Sequence, residues 1–323
     1  MGAGARRRMS LSRRTDDYEP CRLCPRSCEV RRSHDGVGFC AQTDEMRIAW
    51  AGIHCGEEPP ISGGGGSGTV FFSGCTLGCR FCQNYQISNG VVGYAVTEAE
   101  LAGIFLDLKQ AGAENINLVT GTQFAPGIVM ALSRCGFEQL GVPVVWNSSG
   151  FETLETLALL SPAVDVYLAD MKTLNETLSH EIFRFRHYPA YAQAAIEAMV
   201  ADKQLTFKGD LLQRGVVVRH LVLPGKLDCT HAVIRWFATK LSGRALLSAM
   251  FQYTPVLRFE QLDHSFSRHV DEHEYEQVLF WLDEYGIEDG YVQDITADAD
   301  WLPDFTKLNP FPAGAARTVW SGV

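Results

Sequence analysis

The chain has 323 residues, 46% of them hydrophobic and 20% charged, and its formal net charge is −10 at pH 7. This composition is typical of a folded globular protein and excludes a fibrous or largely disordered chain. The acidic balance argues against broad nucleic-acid binding, which needs a basic face, and no apolar run approaches the about 20 residues that span a bilayer.

The first 16 residues form a basic segment that is expected to be disordered. Its arginines, at positions 6–8, 13 and 14, are not followed by an apolar stretch, so neither a secretory nor a twin-arginine signal is complete. We therefore expect a cytoplasmic protein with no membrane partner. In that reducing compartment a chain with ten cysteines is expected to use them as metal ligands or catalytic thiols rather than in disulfides.

Four cysteines near the N-terminus have the spacing C-x2-C-x3-C-x11-C. They are Cys21, Cys24, Cys28 and Cys40. Four soft thiolates complete a tetrahedral coordination sphere, so this segment is predicted to bind zinc or an iron–sulfur cluster, with free surface thiols as the alternative. Four arginines surround them and either stabilise bound thiolates or form a solvated basic patch: Arg22, Arg26, Arg31 and Arg32.

A segment with two adjacent carboxylates connects these cysteines to the rest of the chain. His54, Glu57 and Glu58 precede two prolines, and the glycine run at 63–66 is typical of a flexible hinge. We expect a connecting loop here. The chemistry of these three side chains alone assigns them no role.

Three further cysteines, Cys75, Cys79 and Cys82, have the spacing C-x3-C-x2-C and follow a β-rich run. Soft sulfur ligands select iron–sulfur clusters, zinc or cuprous ions. Because a closed zinc or four-iron site takes four ligands, three thiolates predict a 4Fe-4S cluster with one open iron. The alternative is a zinc site that borrows a distant fourth ligand.

The stretch from Cys75 to Asn84, with Phe81 directly before Cys82, resembles the hallmark of radical S-adenosylmethionine (SAM) enzymes. It is most similar to the branch related to pyruvate formate-lyase activating enzyme, and within it to a functionally unassigned subgroup with a Cys-rich N-terminus. The likeness continues through most of the chain beyond residue 20. It implies a 4Fe-4S cluster on the three cysteines, and SAM as the second cofactor with Phe81 beside its adenine.

From Thr69 onward, β-rich runs alternate with helical patterns. The predicted strands are Thr69–Ser73, Asn115–Val119, Val142–Asn147, Val164–Ala169, Gly215–Leu223 and Ala245–Met250. The predicted helices are Thr97–Ala111, with Thr97 as its N-cap, Gly127–Cys135, Thr153–Leu160 and Tyr191–Lys203. This alternation predicts an α/β fold, a partial (β/α)6 TIM-like barrel, and the resemblance implies the same radical SAM barrel.

Four segments are expected along the chain. Residues 1–16 are the basic lead, 17–66 the Cys-rich metal-binding segment and linker, 67–285 the radical SAM partial barrel, and 286–323 a C-terminal extension that packs on the barrel.

Active residues of such barrels lie where the strands end. The resemblance places SAM-binding groups there, and the candidates are Thr120, Gly121, Thr122, Asn147, Ser148, Asp170, Lys172 and Arg219. Asp170 and Lys172 share one face of their strand, so a purely structural ion pair is the alternative. Arg219 has the fork geometry to clamp a carboxylate. His220 faces the opposite side of the strand, where a structural and a functional role are equally open.

The resemblance implies an enzyme, a radical SAM oxidoreductase similar to glycyl-radical enzyme activases. Such an enzyme cleaves SAM reductively to a 5′-deoxyadenosyl radical, which abstracts hydrogen from a protein or peptide substrate. A flavodoxin- or ferredoxin-type reductant would supply the electron. Two alternatives stay open: a radical SAM enzyme that modifies a nucleic acid or a small molecule, and a non-catalytic iron–sulfur electron carrier.

Overall fold

The structure is a computed structural model, and it describes residues 18–90, 92–256, 263–295 and 302–322. The predicted basic lead at 1–16 lies outside the described residues. The described helices are α1 (Pro59–Ser62), α2 (Tyr85–Ser88), α3 (Glu98–Gln110), α4 (Ala125–Cys135), α5 (Phe137–Leu140), α6 (Leu154–Leu160), α7 (Glu176–Phe183), α8 (Tyr188–Asp202), α9 (Leu227–Lys240) and α10 (Glu272–Glu284). The described strands are β1 (Arg47–His54), β2 (Ser67–Phe72), β3 (Tyr94–Ala95), β4 (Ile116–Val119), β5 (Val144–Ser148), β6 (Val166–Asp170), β7 (Thr206–Lys208), β8 (Leu211–Leu221), β9 (Leu246–Met250), β10 (Gly290–Val292) and β11 (Ala316–Trp320).

Seven strands form the parallel body of one sheet, in the order β10, β9, β8, β6, β5, β4, β2. Beyond β2 the sheet continues antiparallel through β1 to β11. Among the described residues β10 and β11 do not pair with each other, so the barrel is open. All six predicted strands are present, as β2, β4, β5, β6, β8 and β9, and the predicted partial barrel is confirmed.

The four predicted helices are also present, as α3, α4, α6 and α8. α3 begins at a capping box: the Thr97 hydroxyl accepts the N–H of Glu100, and the Glu100 carboxylate accepts the N–H of Thr97. The buried positions of α3 follow helical spacing and pack into the main hydrophobic core: Leu101, Ile104, Phe105 and Leu108.

The interior of the barrel is apolar at its floor and polar toward the ends of the strands. Side chains from three neighbouring strands and from α1 form an apolar cluster at the floor: Ile61, Val145, Leu168 and Val217. Because side chains alternate along a strand, the interior positions two residues farther on are Asn147, Asp170 and Arg219. The fold therefore gathers predicted site residues from three strands above one apolar floor.

Strand β1 lies in the stretch that the sequence assigns to the metal-binding segment and linker, yet it extends the barrel sheet. Six of its eight residues are buried without alternation, because β2 and β11 pair along its two edges and tail aromatics cover it. The Phe311 ring centroid lies 5.2 Å from that of Trp50. None of the helices in the described ranges combines the length and apolar character that crossing a membrane requires.

Candidate functional site

The three-cysteine loop, here called the cluster loop (residues 74–82), leaves the barrel where β2 ends. Cys75, Cys79 and Cys82 are partly exposed, and their thiols interact electrostatically with one another. Burial, reinforced by the charge of Cys75, raises the pKa of Cys82 to about 11. Burial also raises the pKa of Cys79 well above its usual range, against an opposing effect of Lys172.

This donor set fits an iron–sulfur cluster chemically. Within the four described ranges no three His, Cys, Asp or Glu side chains are already arranged around a metal position. The cluster loop nevertheless brings three soft thiols within electrostatic range of one another, and such ligands bind iron as thiolates. Binding would therefore require the thiols to lose their protons and to close around the metal.

Asp170 and Lys172 lie between the cluster loop and the barrel interior. The carboxylate of Asp170 pairs with Nζ of Lys172 at 2.8 Å, and the Tyr188 hydroxyl accepts the backbone N–H of Lys172 at 3.0 Å. Burial alone would lower the pKa of Lys172, but Asp170 and Cys79 raise it above its usual value. Lys172 therefore stays charged beside Cys79, and the structure brings these predicted residues together.

Arg219 reaches into the barrel interior and pairs with two carboxylates of the linker. Its Nε lies 2.7 Å and its Nη2 2.5 Å from the two oxygens of Glu58, and Nη2 also bonds Glu57. Burial would raise the pKa of Glu57, but Arg219 and His54 lower it to about 2. The structure thus gives Glu57 and Glu58 a partner that the sequence did not reveal. In this structure the fork of Arg219 binds Glu58, and the predicted contact of Arg219 with SAM stays a prediction.

Polar groups at the ends of β4 and β5 surround one buried carboxylate, Glu152, that sequence reasoning missed. Thr122 Oγ1 donates to Glu152 at 2.7 Å, Ser148 Oγ at 3.1 Å and Trp146 Nε1 at 3.3 Å. The two hydroxyls that the sequence assigns to SAM therefore point to Glu152 in this structure. Burial raises the pKa of Glu152, although the three hydrogen bonds oppose the shift.

The other candidates at these strand ends are joined through the backbone. Thr120, with a φ of 58°, donates its N–H to the carbonyl of Asn147 at 2.9 Å. A Cβ added to Gly121 would lie 2.7 Å from Cδ1 of Ile128 and 3.0 Å from the indole of Trp146, so a larger residue would force these neighbours to shift. The ends of β4 and β5 are consequently held together as one rim of the barrel.

Gln123 connects this rim to the cluster loop and was not singled out in the sequence. Its buried Nε2 donates to the carbonyls of Ser73, at 2.9 Å, and Gly74, at 3.2 Å. Its own backbone carbonyl accepts a hydrogen bond from Nη1 of the buried Arg32 at 2.6 Å. Arg32 is therefore part of the junction with the barrel and not of a solvated basic patch.

Two further residues have structural surroundings. Phe81 packs in an aromatic group, with ring centroids 5.8 Å from Tyr253 and 6.1 Å from Phe266, and its predicted contact with adenine stays a prediction. His220 is buried with both ring nitrogens bonded, one to a main-chain carbonyl at 2.7 Å and one to Thr230 Oγ1 at 3.0 Å. Burial lowers the pKa of His220 to about 4, which favours its structural role.

The four N-terminal cysteines also gather in one place. Cys21, Cys24 and Cys40 are buried, and Cys24 interacts electrostatically with the other three thiols. Burial chiefly, and then this repulsion, raises the pKa of Cys24 to about 12. A Cβ on Gly38 would lie 3.0 Å from Sγ of Cys28 and 3.6 Å from Sγ of Cys40.

We expect Glu152→Gln to flatten the pH dependence of stability. The pKa of Glu152 is higher in the folded protein than in the unfolded chain, where it is about 4.3. Raising the pH above 4.3 therefore deprotonates Glu152 more readily in the unfolded chain, and the free energy of unfolding falls. The amide can accept from Trp146 and Thr122 and donate to Ser148, so stability at pH 4 should change by at most about 1 kcal/mol. Urea unfolding from pH 4 to 8 measures this, with the exposed Glu155→Gln as control. A variant that is markedly less stable at pH 8 would contradict it.

The fold and the cluster loop together define a radical SAM barrel, and comparisons agree. The chain belongs to the radical SAM superfamily, whose family model matches residues 69–237. It is 29% identical over 280 residues to the uncharacterized protein MJ0674 of Methanocaldococcus jannaschii, covering 84% of this chain and 76% of that protein. The predicted membership is confirmed, and the members of this superfamily are enzymes.

One of the similar solved structures shows the same fold. SuiB of Streptococcus suis, bound to S-adenosylmethionine, superposes with a TM-score of 0.50 at 13% identity, covering 68% of this chain and 48% of SuiB. The chain therefore spans about half the length of SuiB. A domain of pyruvate-formate lyase-activating enzyme from Bacteroides vulgatus superposes with a TM-score of 0.38 at 12% identity, covering 53% of this chain and 91% of that domain.

Proposed function

We propose that this chain is a radical SAM enzyme that removes a hydrogen atom from a protein or peptide substrate. The observation that carries the proposal is the cluster loop at the end of β2, with Cys75, Cys79 and Cys82 coupled to one another, in a chain of this superfamily. A 4Fe-4S cluster on these thiols and SAM together would supply one-electron cleavage of the sulfonium, which starts hydrogen abstraction.

The chain's own residues have separate tasks in this proposal. The three thiolates hold iron, and Lys172 places a fixed positive charge beside Cys79. Asp170 and Asn147 face the interior from neighbouring strands, where a carboxylate suits the amino group of SAM and an amide suits its carboxylate or ribose. The apolar floor keeps water away from the reacting centre.

A protein or peptide substrate is supported by the likeness of Cys75–Asn84 to the activating-enzyme branch and by the open sheet. Among the described strands β10 pairs only with β9, and its residues Gly290 and Val292 are exposed. A free strand edge can pair with an extended peptide. The acidic net charge of −10 disfavours nucleic acid as the substrate.

We also propose a second metal at the N-terminal cysteines and a redox partner. Cys21, Cys24, Cys28 and Cys40 would bind zinc or a second iron–sulfur cluster. A cytoplasmic flavodoxin- or ferredoxin-type protein would supply the electron. Iron, zinc and sulfide analysis after anaerobic reconstitution identifies the metal of each site, because the two cysteine sets can be replaced separately.

The decisive test is whether the reconstituted protein cleaves SAM under reduction. We expect release of 5′-deoxyadenosine with dithionite, and transfer of deuterium into that product when a deuterated cell extract supplies the substrate. Deuterium from the protein fraction of the extract supports a protein or peptide substrate. Deuterium that comes only from the small-molecule or nucleic-acid fraction contradicts a protein or peptide substrate. If SAM is not cleaved at all, the enzyme proposal fails and the alternative of an iron–sulfur electron carrier is favoured.

A further inference from the structure

We infer that the N-terminal cysteine segment (residues 21–42) positions the cluster loop, through Arg26 and Phe39. The inference rests on the proposed cluster at Cys75, Cys79 and Cys82. It concerns two residues outside the barrel that touch the loop directly, and it gives the N-terminal metal site a mechanical purpose.

Arg26 holds the backbone of the cluster loop from outside the barrel. Its Nε donates to the carbonyl of Thr76 at 3.0 Å, and its Nη2 to the carbonyl of Leu77 at 2.9 Å. The same Nη2 donates to the carbonyl of Phe183 at 2.7 Å, at the end of α7. The centre of the guanidinium lies 3.4 Å from the centroid of the Phe39 ring. One planar side chain thus ties the loop between two of its cysteines to a helix of the barrel.

The backbone of the cluster loop is shaped to receive this segment. Gly78, which precedes Cys79, has a φ of 67°, and a Cβ there would lie 3.0 Å from the Phe39 ring. Gly74, which precedes Cys75, has a φ of 79°, and a Cβ there would collide with the carbonyl oxygen of Cys40. Both positions combine a left-handed backbone with a close approach, which only glycine tolerates well.

The two contact residues are placed next to the N-terminal thiols. Arg26 lies between Cys24 and Cys28, and Phe39 directly precedes Cys40. A metal on these thiols would restrain the backbone on both sides of Arg26 and next to Phe39. Metal binding at the N-terminal site would therefore hold Arg26 and Phe39, here called the clamp, in place. The clamp would in turn fix the positions of the loop carbonyls between Cys75 and Cys79.

Hydrogen exchange of the cluster-loop peptide tests this in the full-length, iron-free chain. With Arg26→Gln we expect amides in residues 74–82 to exchange about tenfold faster, because three hydrogen bonds to the loop and to α7 are lost. Peptides from α10 should not change. The same variant should retain less iron after reconstitution. The iron that it retains should show an altered cluster EPR signal, and a loss of general stability alone would not produce this second change.

Matched variants separate geometry from charge. Arg22→Gln should behave as the wild type, because Arg22 is exposed and, among the described residues, its side chain pairs with Glu29 alone. The amides of residues 74–82 should exchange as fast in Arg26→Lys as in Arg26→Gln, since one ammonium group cannot replace the planar guanidinium. If Arg26→Gln unfolds, Phe39→Leu provides the same test, because Phe39 is half-exposed and contacts Arg26 from the other side. We expect its cluster-loop amides to exchange faster than those of the wild type.

Two results would overturn the inference: unchanged loop exchange in both Arg26→Gln and Phe39→Leu, or wild-type exchange in Arg26→Lys. The result is distinct from that for the proposed function. If the wild type fails to cleave SAM while loop exchange still responds to Arg26, the proposed function fails and the positioning contact stands.

Discussion

Replacing Cys75, Cys79 and Cys82 together by alanine is expected to abolish release of 5′-deoxyadenosine from SAM. The cluster loop supplies the soft donors of the proposed cluster, and alanine leaves iron with no thiolate on this loop. The thiols are partly exposed, so the free energy of unfolding should fall by about 1 kcal/mol for each replacement, which a domain of ordinary stability tolerates. Chromatography of the products under anaerobic reduction measures the loss, and iron analysis shows whether the N-terminal site still binds metal.

The matched control is Cys55→Ala. Cys55 is an exposed cysteine outside both clusters, so its removal should leave SAM cleavage at the wild-type rate. Continued formation of 5′-deoxyadenosine by the triple variant would show that the cluster lies elsewhere. Loss of the product in Cys55→Ala as well would show general damage to the chain and would remove the basis of the assignment.

The parallel part of the fold was predictable because its signals are local. Thr97 caps α3, the helix itself has apolar residues at helical spacing, and each of the six predicted strands is a β-rich run between turns. Strands β1 and β11 gave no such signal. β1 pairs with β11, more than 200 residues away in the chain, and with β2 along its other edge. The burial pattern of β1 does not alternate, so it does not indicate a strand.

The candidate site was predictable where its residues lie close together in the sequence. It was missed where residues far apart in the sequence are brought together only by the tertiary fold. The three cysteines and the pair Asp170–Lys172 stand close in sequence, so their proximity follows from the loop and the strand. Glu152 receives its donors from β4 and β5, and Arg26 reaches loop carbonyls some 50 positions away. A lone buried carboxylate or arginine carries no mark of its partner in the sequence.

Arg219 shows the same limit from another side. The sequence singles out Arg219 as a residue that clamps a carboxylate of the bound cofactor, and in this structure the carboxylates it binds come from Glu57 and Glu58. In this structure the charge of Arg219 is balanced by Glu57 and Glu58, and its contact with SAM stays a prediction.

Replacing Arg219 by methionine is expected to lower the free energy of unfolding by about 3–5 kcal/mol at pH 7, because it leaves buried carboxylates without their cation. The side chains of Arg219, Glu57 and Glu58 are only 13%, 7% and 6% exposed, so water cannot replace the lost partner. Urea unfolding of the iron-free chain measures the difference. Arg214→Met, an exposed arginine on the same strand β8, is the control and should cost less than about 0.5 kcal/mol.

The pH dependence of unfolding shows whether the unpaired carboxylate of Glu57 causes the loss of stability in Arg219→Met. In the wild type the pKa of Glu57 is about 2, below the unfolded value of about 4.3, so its stabilisation is present above pH 4.3 and is lost as the pH falls toward 2. Without Arg219, burial raises the pKa of Glu57, and the variant regains stability as this group takes up a proton. The gap between the two proteins should therefore narrow from pH 8 to pH 4. A constant gap, or one below about 1 kcal/mol at pH 7, would mean that the ion pair contributes no more than its packing.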